Sequence, residues 1–248
     1  MTGVGTDLPT PSSALVIVAH PDDAEFQAGA TLAKWARAGA EVHHLVLTDG
    51  SKGTWDAAAD LPALVERRQE EQRAARAELG ARGEVVFLGG VAGELRVDVE
   101  RRGQVAEVIR RLRPDVVLGH DPWKRYRLHP DHHAAGRLCV DGIVAARDPF
   151  FHPEQLRRGL EPHRPSALLL FEPDVVDHVE SVGEEDLDAK LRALEAHRSQ
   201  METTHFYKVG DGDPLEEFRA RERQRLTDGG APAGVALGEP YHLIVDQL

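Results

Sequence analysis

Residues 14–19 have the sequence ALVIVA, and residues 20–25 continue it with HPDDAE. A continuous apolar run that is rich in β-branched residues is typical of a strand buried on both faces of a sheet. A dinucleotide-binding protein would follow such a strand with a glycine-rich turn, which lets the backbone approach a pyrophosphate. Here an imidazole and two carboxylates take that place. The stretch therefore predicts a buried parallel strand. The turn after this strand carries ionisable side chains in place of a glycine-rich phosphate-binding loop.

Strands and helices alternate along the rest of the chain. Further apolar runs predict strands at 41–47, 84–88, 115–119, 166–171 and 241–245. Helix-forming stretches predict helices at 27–38, 61–79, 98–112, 131–146, 184–199 and 214–226. The alternation predicts an α/β, Rossmann-like three-layer fold, in which a mostly parallel sheet has helices on both faces. No break in composition separates two cores, so we expect a flexible N-terminal arm at 1–13 and a single domain at 14–248.

Composition narrows the classes of protein that the chain could represent. The 248 residues include 30 Lys and Arg against 42 Asp and Glu, which gives a net charge of −12. Such a field repels phosphate, so neither nucleic acid nor an anionic membrane is an expected partner. The single cysteine, Cys139, excludes an internal disulfide framework and fits a reducing compartment. Because the sequence has neither a signal-peptide pattern nor a long apolar run, we expect a cytoplasmic protein.

Histidines and carboxylates concentrate in two segments that follow predicted strands. His20, Asp22 and Asp23 come after the first strand, and residues 129–133 (HPDHH) lie beyond the fourth. The carboxyl ends of parallel strands meet at one edge of a sheet, where α/β proteins bind ligands. Histidine and carboxylate ligands without thiolates suit a catalytic zinc or a similar divalent ion. Each segment alone could be a polar helix cap, but together they predict a metal site.

The motifs Ala19-His20-Pro21-Asp22-Asp23 and His129-Pro130-Asp131-His132 resemble those of the LmbE-like, or PIG-L, de-N-acetylase family. Thr48-Asp49-Gly50 and His197-Arg198-Ser199-Gln200 are further landmarks, and the likeness extends over about residues 14–201. Members of this family are zinc-dependent hydrolases that remove acetyl groups from N-acetylglucosamine-type amino sugars. Some members instead cleave amides of sugar-containing thiols. The family often has Asp-Gly after the third strand, whereas this chain has Val91-Ala92-Gly93.

The resemblance implies roles for individual residues. His20, Asp23 and His132 would bind Zn²⁺ or another divalent metal and leave one coordination position for water. Asp22 would be the general base. His129 would stabilise the oxyanion as a charged partner, and Asp131 would orient His129 and keep its pKa high.

Arg68 lies in the predicted helix at 61–79. The matching arginine of the family lies near the sugar, so the resemblance implies that Arg68 binds substrate through its fork of donors. The alternative is a surface arginine that pairs with Glu70 or Glu71 on the same helix. His133 stands where other residue types are usual, and it has no assigned ligand role.

Together these features predict a metal-dependent hydrolase that removes the N-acetyl group from an N-acetylglucosamine-type conjugate and releases acetate. The expected partner is a small amino-sugar substrate, and the resemblance is compatible with a homo-oligomer. An amidase of a sugar–thiol conjugate is one alternative. A non-catalytic sugar- or nucleotide-binding Rossmann domain is another, although no glycine-rich fingerprint follows the first strand.

Overall fold

The computed structural model describes residues 3–206, 210 and 212–248. The strands in this part of the chain are β1 (Gly5–Thr6), β2 (Ser13–Val18), β3 (Glu41–Thr48), β4 (Val85–Gly90), β5 (Val116–His120), β6 (Ala167–Phe171), β7 (His178–Ser181) and β8 (Gly238–Ile244). The α-helices are α1 (Asp23–Arg37), α2 (Leu61–Glu78), α3 (Val99–Leu112), α4 (Pro130–Arg147), α5 (Pro153–Arg157), α6 (Glu184–Ala196) and α7 (Pro214–Gly230). None of the helices in these residues is both long enough and apolar enough to cross a bilayer.

One sheet contains all of these strands in the order β1-β7-β8-β6-β5-β2-β3-β4. Strands β6, β5, β2, β3 and β4 are parallel neighbours, whereas β8 is antiparallel to both β6 and β7. The chain runs outward from β2 to β3 and β4, and then returns to β5 on the other side of β2. In sheets of this kind, ligands bind where the strand order reverses, which here is beyond the carboxyl ends of β2 and β5.

Helices cover both faces of the sheet because the central strand is apolar on both sides. Val16 and Val18 of β2 pack with α1, α2 and α6 in one core. Leu15 and Ile17 pack with α3 and α4 in the other, and all four side chains are fully buried. Burial of a Val, Leu or Ile side chain stabilises a fold by about 1.5–3 kcal/mol. The predicted three-layer α/β fold with a mostly parallel sheet is confirmed.

The structure differs from the predicted elements near both the start of the chain and β7. Gly5–Thr6 pair with β7, and Lys34 Nζ lies 2.8 Å from Asp7 Oδ1, so part of the expected flexible arm is fixed to the sheet. Strand β7 has the polar sequence HVES, which gives no apolar signal. It is stabilised by its neighbours instead, since Glu180 Oε2 lies 2.6 Å from Lys34 Nζ.

Candidate metal and active site

The loops beyond β2 and β5 bring the two segments of histidines and carboxylates, residues 20–23 and 129–133, together in one cavity. The first segment leads from β2 into α1, and the second provides His129 as the N-cap of α4. The cavity has a volume of about 330 Å³. Its lining residues are His20, Asp22, Asp23, Arg68, His129 and His132, with Lys52, Gly53, Ala92, Gly93, Gln200 and Thr204. Asp131, the remaining residue singled out in the sequence, is fully buried beside this lining.

Three side chains in the cavity present ligand atoms to a common point. His20 Nδ1 lies 3.3 Å from His132 Nε2 and 3.3 Å from Asp23 Oδ2. His132 Nε2 lies 3.2 Å from Asp23 Oδ1. In a tetrahedral zinc site with bonds of about 2.0–2.2 Å, adjacent ligand atoms are about 3.3–3.6 Å apart. His20, Asp23 and His132 therefore fit three corners of such a site, and a fourth position would be left for water or substrate.

The carboxylate of Asp131 is hydrogen-bonded to the ring of His20. Its Oδ2 accepts a hydrogen bond from His20 Nε2 at 2.9 Å, and the backbone N–H groups of Gly93 and Leu95 donate to the same carboxylate. Burial raises the pKa of Asp131, but these hydrogen bonds lower it to about 2. Burial lowers the pKa of His20, but its hydrogen bonds to Asp131 and Asp23 raise it to about 9, so a metal would displace the proton on Nδ1 while Asp131 holds the proton on Nε2. The Asp131 carboxylate therefore orients His20, whereas the contact of Asp131 with the His129 ring is made by its backbone N–H.

His129 lies at the rim of the cavity. Its Nδ1 accepts the backbone N–H of Asp131 at 3.2 Å, so in the neutral ring the proton is on Nε2. Partial burial of the ring and the nearby His20 and His132 lower the pKa of His129. The charges of Asp131 and Asp23 act in the opposite direction, and the net lowering of the pKa disfavours the charged form of His129 that the family resemblance implies.

Asp22 lies beside the three candidate ligands, with its carboxylate buried. Burial raises its pKa, the guanidinium of Arg68 opposes this rise, and the charge of Asp23 adds to it, which brings the pKa to about 6. A carboxyl group with a pKa near neutrality can accept a proton and return it under the same conditions. Asp22 is therefore suited to acid–base chemistry.

Arg68 is buried and points into the site, so the alternative of a surface pair with Glu70 or Glu71 is wrong. Its Nη2 donates to Pro21 O at 2.6 Å and to Asp22 Oδ2 at 3.3 Å, and its Nη1 donates to Gly50 O at 2.9 Å. Arg68 thus holds the turn that carries Asp22, in addition to lining the cavity.

His120, the last residue of β5, contacts two of the candidate ligands, although the sequence predicted no role for it. It is fully buried, and its Nε2 lies 3.4 Å from Asp23 Oδ2. Its ring stacks on His132 at 4.4 Å, and His132 stacks on His129 at 4.7 Å, so the three imidazoles form one column. Burial lowers the pKa of His120 to about 4, so the ring is neutral. Its position at the end of a strand on the same edge as His20 is the signal that could have identified it.

Comparisons with known proteins relate the chain to a de-N-acetylase family and also to a hydratase. The family model PIG-L, described as GlcNAc-PI de-N-acetylase, matches residues 15–143, which include both segments. Diacetylchitobiose deacetylase of Thermococcus kodakarensis is 36% identical over 186 residues, which are 75% of this chain and 69% of the relative. The structure of N,N'-diacetylchitobiose deacetylase from Pyrococcus horikoshii, complexed with an inhibitor, matches with a TM-score of 0.84 and 28% identity over 95% of this chain and 84% of its own. The 4-oxalmesaconate hydratase of Pseudomonas putida is 29% identical over 206 residues, which are 79% of this chain and 76% of the hydratase.

Proposed function

Because the chain belongs to the PIG-L family of GlcNAc-PI de-N-acetylases, we propose that it removes the N-acetyl group from an N-acetylglucosamine-type conjugate and releases acetate. The observation that supports this most directly is the convergence of His20, Asp23 and His132 beside the buried Asp22 in one cavity. A volume of about 330 Å³ is in the range of small-molecule sites. A non-catalytic binding domain would not need a base beside a complete ligand set.

The proposed cofactor is Zn²⁺ or a similar divalent ion, held by His20, Asp23 and His132. Such an ion would lower the pKa of a water molecule toward ~7 and polarise the amide carbonyl of the substrate. Asp131 keeps the His20 ring in the tautomer that such binding requires, because it accepts the hydrogen bond from Nε2. His120 would help to hold Asp23, since its Nε2 lies 3.4 Å from Asp23 Oδ2.

The proton movements are assigned to residues of the chain. Asp22 accepts the proton of the attacking water as the new carbon–oxygen bond forms, and it returns the proton to the nitrogen as the carbon–nitrogen bond breaks. His129 donates from Nε2 to the carbonyl oxygen, where negative charge develops. Arg68 lines the cavity, where its guanidinium would donate to a substrate hydroxyl.

The proposal also includes the binding partner and the cellular compartment. The partner is a small amino-sugar conjugate, since a chain with a net charge of −12 repels polyanions. The compartment is the cytoplasm, where the buried thiol of Cys139 needs no disulfide partner. An amidase of a sugar–thiol conjugate would use the same residues and would release a larger acid in place of acetate.

Release of acetate by the purified protein tests the proposal. With N,N'-diacetylchitobiose as the probe, we expect acetate release that a chelator abolishes and that one equivalent of Zn²⁺ restores. A parallel assay with 4-oxalmesaconate measures hydration, which is the activity named for the hydratase relative. Hydration of that compound, without acetate release from any amino sugar tested, would contradict the proposed function.

Removing the charge of Asp131 should weaken metal binding. We expect Asp131→Asn to lower the affinity for Zn²⁺ by about 10–100-fold, because the His20 ring loses the carboxylate that orients it. Competition with a chromophoric chelator measures this affinity. Asp141→Asn is the matched control on the same helix, since Asp141 forms an exposed pair with Arg137. Equal affinities in the two variants would show that Asp131 does not support the metal.

A further inference from the structure

The backbone of Asp22 is held in an uncommon conformation. Its φ is 99° and its ψ is −27°, in the left-handed region that favours glycine. Such a conformation is unfavourable for a residue with a side chain, and it persists only where surrounding contacts enforce it. The direction of the Asp22 carboxylate depends on this backbone, so the enforcing contacts bear on its proposed catalytic role.

Helix α2 holds both sides of the peptide unit that joins Pro21 to Asp22. Gln72 Oε1 accepts the N–H of Asp22 at 3.0 Å, and Arg68 Nη2 donates to the carbonyl oxygen of Pro21 at 2.6 Å. Positions 68 and 72 are four residues apart, so they lie one above the other on one face of the helix. Rotation of the peptide plane would break at least one of these hydrogen bonds.

Glu25 sets the direction of the Gln72 amide. Gln72 Nε2 donates to Glu25 Oε1 at 2.7 Å, while His197 Nε2 lies 3.3 Å from Glu25 Oε2 and His44 Nε2 lies 3.5 Å from Oε1. All four of these side chains are fully buried. Because the NH₂ group of Gln72 faces a carboxylate oxygen, its carbonyl oxygen is left for the N–H of Asp22.

We propose that Gln72 is a positioning residue for Asp22, and that Glu25 in turn holds Gln72. The role rests on the proposed function, in which Asp22 is the general base. Gln72 is buried behind the cavity wall and acts through the backbone of Asp22. In this arrangement α2 contributes to the rate by fixing where the proton acceptor lies relative to the attacking water.

Replacement of the amide by an apolar side chain of similar size tests the role. We expect Gln72→Leu to lower kcat about 10–100-fold, with KM and zinc content unchanged, because a displacement near 1 Å can cost this much. Gln69→Leu is the matched control, since it makes the same change on the same helix at a partly exposed side chain. A kcat for Gln72→Leu equal to that of the control would overturn the proposal.

Exchange of the two partners provides a test that does not rely on a buried apolar substitution. In the double variant Glu25→Gln and Gln72→Glu, the donor and the acceptor change places, and the N–H of Asp22 keeps an acceptor. We expect Gln72→Glu alone to be impaired, because it places two carboxylates together, and the double variant to recover most of the lost kcat. No recovery in a folded, zinc-loaded double variant would overturn the proposal.

A crystal structure of Gln72→Leu separates this inference from the proposed function. We expect the backbone of Asp22 to leave the left-handed region in that variant, whatever the substrate is. An unchanged Asp22 backbone would overturn the positioning role. Failure of the wild-type protein to release acetate would instead overturn the proposed function.

Discussion

Asp22→Asn should lower acetate release by about 10²–10⁴-fold while the protein keeps its metal. The amide has nearly the shape of the carboxylate, so Gln72 can still accept the backbone N–H of residue 22 and Arg68 can still donate to the carbonyl oxygen of Pro21. It cannot accept a proton from water near neutral pH, and the proposed first step is lost. The proposed ligand atoms of His20, Asp23 and His132 are unchanged by the substitution. Acetate assays and zinc analysis of the same preparation measure both quantities.

The control for Asp22→Asn is the same carboxylate-to-amide change at Asp141, which lies on α4 outside the cavity lining. That variant should match the wild-type protein in both rate and zinc content. Full activity of Asp22→Asn would show that another group takes the proton. Loss of zinc from Asp22→Asn would place Asp22 among the ligands and not beside them.

His132→Ala should abolish both metal binding and turnover. We expect zinc content to fall from near one ion per chain to near zero, because only two of the three protein ligands of the proposed site remain. The ring is also the middle member of the column formed with His120 and His129, so its removal leaves a gap between them. His132→Gln retains much of the side-chain volume and distinguishes loss of the ligand from loss of packing.

The neighbouring histidine offers a matched control for this variant. His133 follows His132 on α4, but its side chain is exposed. His133→Ala should therefore keep the zinc and the acetate release of the wild-type protein. A folded His132→Ala protein that still binds one zinc ion would show that the proposed ligand set is wrong.

The sequence predicted the layers of the fold because buried strands have a recognisable apolar pattern. The run at 14–19 is apolar at every position, and β2 is indeed covered on both faces. Strand β7 has no such apolar pattern, because it is stabilised by pairing with β8 and β1 and by the ion pair between Lys34 and Glu180. The resemblance to the PIG-L family is also confirmed, since the two motifs that support it lie within the matched residues.

The convergence of the two segments on one cavity followed from the rule that parallel strands end at a common edge. The partner of Asp131 could not be predicted in this way, because it depends on how the loop through Gly93 and Leu95 folds against it. The role of Gln72 was hidden for another reason. The inward face of α2 includes Arg68, Glu71 and Gln72, so an apolar periodicity does not reveal which side of this helix is buried.

The adjacency of β2 and β5 has a consequence for how the enzyme matures. His20 and His132 are 112 positions apart along the chain, so a nascent polypeptide that has completed only β4 holds two of the three proposed ligands. Capture of the proposed ion would have to wait until translation has passed the start of α4 and β5 has docked against β2. From then on the ion would favour the folded chain by mass action, by about 2.7 kcal/mol at a free concentration one hundred times its Kd. Scarcity of the metal in a growing cell would therefore reduce the lifetime of this protein as well as its turnover.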